Sequence, residues 1–224
     1  MKNKMTKDNL NENRIHIDTY YNRTNGKVIA TNLWSNGVRI FKNATCIKNF
    51  NQLKEIPYTS KIPPNIDLVM PFLEDNIMDK VRIITCFENF MKGLLILNNC
   101  IVHRISDKHK PLSNKQKKTP IKILEVFTIH SFARSENPVI QSDTNENTIN
   151  FSWMISPEYQ NIIQLPKDIL DIITEINKER NRLHFISQDK FYHGKTIIAN
   201  LEILINFVED VIKPRIKDLD DSMK

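Results

Sequence analysis

The chain has 224 residues, 40% of them hydrophobic and 26% charged, the composition of a folded globular protein with a core of its own. Its 32 Lys and Arg against 26 Asp and Glu leave a net charge of +6, a modest bias toward polyanionic partners. The four glycines, at 26, 37, 93 and 194, are too scattered for a P-loop, a GxGxxG dinucleotide loop or a GxSxG nucleophile elbow.

Three cysteines, Cys46, Cys86 and Cys100, are odd in number and lack CxxC spacing. Reduced thiols in a cytoplasm are expected, with no structural zinc and no cofactor. No apolar run approaches the roughly 20 residues that span a bilayer. The opening "MKNKMTKDNLNEN" lacks the apolar heart of a signal peptide. A cytoplasmic protein without a membrane partner is the expectation.

Taken in chain order, residues 1–25 are polar and read as a mobile arm. From Lys27 to Phe50, apolar residues Ile29, Leu33, Val38, Phe41 and Ala44 recur at helical spacing, with Gly37 as an interruption. "IPYTSKIPPNIDLVMP" holds four prolines and predicts a connector, so residues 26–77 read as an N-terminal helical extension and its Pro-rich link. Asp79 to Ile105 carries the clearest helical stripe, with Glu88 at its edge and Lys92 one turn on.

"SDKHKPLSNKQKKTP" predicts a basic loop, with a short helical turn as an option. Its Lys115, Lys117 and Lys118 are candidates for contact with an RNA backbone, against the plainer reading of a solvated loop. "IKILEVFTIHSF" satisfies helix and strand equally, "ARSENPVIQSDTNENT" is a polar loop, and "INFSWMIS" suits a short strand. A small β-hairpin is therefore an option. Ser156 before Pro157, and Pro166 before Asp168, open two helices, the second running to Phe185. Lys195 to Lys213 is apolar nearly all round and should be central, with Pro214 as its stop. His103 and His130 suit core or boundary positions, and Trp34, Trp153 and Tyr159 are too isolated to form a base-stacking platform. The sum is a mainly α chain.

The stretch "EINKERNRLHFISQ" carries the chemistry. On a wheel of about 100° per residue, Ile169, Ile172, Ile173, Ile176 and Leu183 share one arc, and Arg180 falls near its middle. Asp171, Glu175, Lys178, Glu179 and Arg182 take the opposite side. His184 lies one turn past Arg180, and Asn181 three residues before it. A cation on an apolar arc needs a carboxylate, an anion or a wet cleft. Glu88 is a candidate carboxylate for a structural ion pair; a phosphate is the alternative, with His184 as a proton-transfer group.

"ERNRLHF" resembles the signature of the HEPN superfamily, compact helical bundles that include ribonucleases of toxin–antitoxin, abortive-infection and CRISPR systems. The order of helices is similar over about residues 78–214, with "CFENFMKGLLIL" ahead of the motif helix and an apolar helix after it. The resemblance implies a HEPN-like helical domain over residues 78–224 with Arg180, Asn181 and His184 as catalytic residues and Glu88 as site support. The implied activity is metal-independent RNA cleavage by the ribose 2′-OH. A homodimer follows, held in check by an antitoxin or regulatory protein. Arg180 and His184 are separated by three residues, one fewer than in the family pattern. The alternatives are an inactive HEPN-like module that binds nucleotide, RNA or protein, and a structural subunit.

Overall fold

The computed structural model describes residues 14–16, 23–56, 66–105, 110–123, 139–141, 148–182 and 195–224. In chain order these form β1 (Arg14–His16), α1 (Arg23–Lys42), α2 (Thr45–Lys48), α3 (Phe50–Glu55), α4 (Ile66–Leu97) and α5 (Lys110–Lys118). They continue with β2 (Val139–Gln141), α6 (Phe151–Met154), α7 (Pro157–Ile163), α8 (Lys167–Arg182), α9 (Lys195–Phe207), a π-helical turn (Val208–Ile212) and α10 (Lys213–Asp221). The described chain is mainly helical, as expected. No described helix is long and apolar enough to cross a membrane.

The chain divides into two compact units, neither continuous in sequence. The first comprises Met1–Ala30 and Met91–Gln164, the second Thr31–Phe90 and Leu165–Lys224. Segments on both sides of residue 78 thus contribute to each unit.

The second unit is built on helices with apolar stripes. A chain of rings runs through its core: Trp34 against Phe90 at 5.1 Å, Phe90 against Phe207 at 5.7 Å, Phe207 against Phe87 at 6.0 Å, and Phe87 against Phe41 at 6.4 Å. These contacts join α1, α4 and α9, each adding about 0.5–1.5 kcal/mol beyond simple burial. The Trp34 indole N–H donates to the Phe90 carbonyl at 3.0 Å, which gives the buried ring its polar partner. Gly37 lets α1 approach the backbone of α4, because a Cβ there would stand 3.1 Å from the Cys86 carbonyl oxygen. Cys46, Cys86 and Cys100 are free and buried, and burial pushes the Cys46 and Cys86 thiols well above their ordinary range.

The first unit is held differently. Extended residues 100–103 sit between two distant segments: the Ile101 N–H donates to the Ile121 carbonyl at 2.9 Å, and the Ile149 N–H to the Val102 carbonyl at 2.8 Å. The Gln116 amide ties α5 to this segment, donating to the His103 carbonyl at 2.7 Å and accepting from the Ile105 N–H at 2.9 Å. The Tyr159 hydroxyl donates to the Gln116 carbonyl at 2.6 Å. His103 is buried, as its apolar neighbours suggested. β1 pairs antiparallel with β2, with Ile15 opposite Ile140. These strands lie far apart in sequence, so the pair is not the hairpin envisaged.

Several elements depart from the sequence reading, each for a physical reason. α4 starts at Ile66 and takes Pro71 inside it, where the exposed ring costs one backbone hydrogen bond near the helix start. It ends at Leu97 rather than near Ile105, because Asn99 adopts a left-handed conformation (φ 58°). The Cys100 N–H then reaches the Leu95 carbonyl at 2.8 Å and the Asn99 N–H the Ile96 carbonyl at 2.9 Å, a Schellman cap. The basic segment, expected as a loop with at most a short helical turn, is helix α5, and "INFSWMIS" forms α6 rather than a strand. The polar arm contains β1, and α1 begins at Arg23. Pro214 does not stop the last helix; the π turn before it sends the Lys213 N–H to the Val208 carbonyl, and α10 continues to Asp221. Widening the turn relieves the clash between the proline ring and the preceding carbonyls.

Candidate functional site

The candidate site lies at the end of α8. Its start follows the expected chemistry, with the Asp168 carboxylate accepting from the Ile169 N–H at 2.9 Å in the first turn. Ile169, Ile172, Ile173 and Ile176 are buried, so the predicted apolar arc is the one that packs. Asn177 extends it: this side chain is 7% exposed and its Oδ1 has no hydrogen-bond partner.

Glu179 corrects the wheel. It is not on the solvent face; its carboxylate stands 3.3 Å from the Lys80 ammonium, with side-chain exposures of 22% and 1%. This buried pair joins α8 to α4 at a place where neither residue type announced itself. Lys80 and Asp79 open the helical stripe as read from sequence, and nothing in their spacing marks them as interior. Asp79 is buried because it caps α2 across space, accepting from the Thr45 and Cys46 N–H groups at 2.7 and 2.8 Å. Arg82 supports it at 3.1 Å, and the Thr45 hydroxyl donates to Asp75. One turn before Lys80, Asn76 is 1% exposed with both amide atoms unpaired.

Arg180, next to Glu179, is half-buried. Among the described residues it makes no ion pair or hydrogen bond, with Glu88 or with any other carboxylate. Glu88 is half-buried on α4 and does not reach it. Asn181 is exposed on the last turn of α8. His184 lies outside the described residues, as does His130. The structure therefore places Arg180 and Asn181 one turn past Asn177, whose Oδ1 is unpaired, on one helix.

Lys115, Lys117 and Lys118 are exposed on α5, in the first unit. Among the described residues no three of His, Cys, Asp or Glu gather into a group that could hold a metal ion. No family model, curated protein or solved structure matches the chain.

Proposed function

We propose that the end of α8 handles a phosphate, and that the protein is a metal-independent endoribonuclease of HEPN type acting as a toxin or phage-defence effector. The observation that carries this reading is the position of Arg180. A half-buried guanidinium in line with four buried isoleucines, with its neighbouring carboxylate committed to Lys80, lacks a described anion of its own. A charge so placed calls for one. The phosphodiester oxygens of RNA meet that need with the bidentate geometry that arginine favours.

In this mechanism a general base takes the proton of the ribose 2′-OH, and the oxygen attacks the adjacent phosphorus in line. The 5′-oxygen leaves with a proton from a general acid, giving a 2′,3′-cyclic phosphate and a 5′-hydroxyl. His184 supplies the acid or base, Arg180 stabilises charge growing on the phosphate oxygens, and Asn181 orients the phosphate. DNA lacks the attacking hydroxyl and would remain uncut. Two copies would bring two such motifs together, with an antitoxin or regulator restraining them.

A second reading, an inactive module that binds nucleotide, RNA or protein through the same residues, is favoured by the three-residue separation of Arg180 and His184. A cleavage assay on total RNA in EDTA separates the two. Wild type should yield cyclic-phosphate ends, and His184→Ala and Arg180→Ala, folded by circular dichroism, should lose at least about a hundredfold in rate. Ribonucleotide binding without cleavage by folded wild type would sink the enzymatic reading.

A further inference from the structure

The net charge of this protein is confined to one unit. The first unit holds 15 of the Lys and Arg against 9 of the Asp and Glu, the second 17 against 17, so the entire excess of +6 belongs to the first. Within it the distribution is steeper. Residues 91–105 and 110–123 contain no acidic side chain, and Glu158 is the single one in 148–164.

Helix formation concentrates this charge. α5 buries Leu112, Ser113 and Gln116 and exposes Lys110, Lys115, Lys117 and Lys118 across the opposite arc. Lys122 follows, also exposed. Like charges on one short helix repel one another, so their clustering is a cost to folding unless a polyanion relieves it. The helix is held rigid beneath them by the Gln116 amide, whose two bonds bracket Arg104. The Arg104 guanidinium lies 5.7 Å from the centroid of the half-buried Trp153 ring. Trp153 is isolated in the sequence, but the fold sets a cation against its ring, and exposed lysines together with a cation-backed, half-buried indole in the same unit are side chains that track a phosphate backbone and stack a base.

We propose that the exposed lysines of α5, with Lys122, Arg104 and Trp153, bind the phosphodiester backbone of single-stranded nucleic acid; all of these residues belong to the first unit, whereas Arg180 belongs to the second. This goes beyond the cleavage reading and does not depend on it. A surface of this kind reads backbone charge, so RNA and DNA of one sequence bind within a few-fold of each other.

The test uses fluorescence anisotropy of labelled single-stranded RNA and DNA with the full chain, in a His184→Ala background that keeps the RNA intact. Replacing Lys117, Lys118 and Lys122 together by Gln should weaken binding at least about tenfold. The slope of log affinity against log salt should fall by about 2, from roughly 0.7 per lost contact on a single strand. Binding should also quench the fluorescence of Trp153, a signal that Trp153→Phe removes and that Trp34, 2% exposed, does not supply. Unchanged affinity and salt slope in the folded triple variant would overturn the proposal. Lysine-dependent binding by a wild type that never cleaves RNA would sink the ribonuclease reading and leave this one standing.

Discussion

The two units solve the same stability problem with different materials. The second is electrically neutral and relies on a chain of aromatic contacts, a buried Lys80–Glu179 pair and an aspartate that caps a distant helix. The first carries the whole net charge and is pinned by side-chain amides and hydroxyls on irregular backbone.

The largest effect expected from breaking this contrast is in the second unit. Glu179→Gln removes the carboxylate that stands 3.3 Å from the Lys80 ammonium, itself 1% exposed, and should cost about 3–5 kcal/mol in urea unfolding. A loss below about 1 kcal/mol would show that the pair is dispensable. In the first unit, Gln116→Leu removes both amide bonds to residues 103 and 105 and should cost about 2–3 kcal/mol, read as a shift in urea midpoint. Gly37→Val forces a branched side chain against the Cys86 backbone and should lower stability by about 1–3 kcal/mol; a more stable variant would contradict the close packing of α1 on α4.

The smallest effect concerns pH. The Lys213 hydrogen bond, aided by Lys42, holds the Glu209 carboxyl below its ordinary range. A depressed carboxylate contributes stability above its unfolded pKa and loses it as pH falls through the folded one. The site is exposed, so Glu209→Gln should remove only about 0.3–0.5 kcal/mol at neutral pH and flatten the acid limb slightly.

How much of this was legible depended on range. Apolar periodicity located α1, most of α4, α8 and α9, because their stripes pack as written. It allows α5 no more than a short helical turn, since two prolines and a run of lysines hide the three residues that anchor the helix. The end of α4 was misjudged because the stripe continues through Ile101 and Val102, which are buried in extended backbone instead. Glu179 and Lys80 were invisible as partners: a residue at the edge of an arc is polar whether it meets water or a buried ion, and only the neighbouring helix decides. Arg180 was legible for the opposite reason, standing where an apolar residue was due.

That position is the centre of the account, and urea unfolding of Arg180→Leu tests it most directly. An arginine kept for a bound anion contributes little to the fold, so the variant should match wild type within about 1 kcal/mol or exceed it. A loss of about 3–5 kcal/mol would mean that Arg180 is the broken half of a structural pair, and the phosphate site would fall with it.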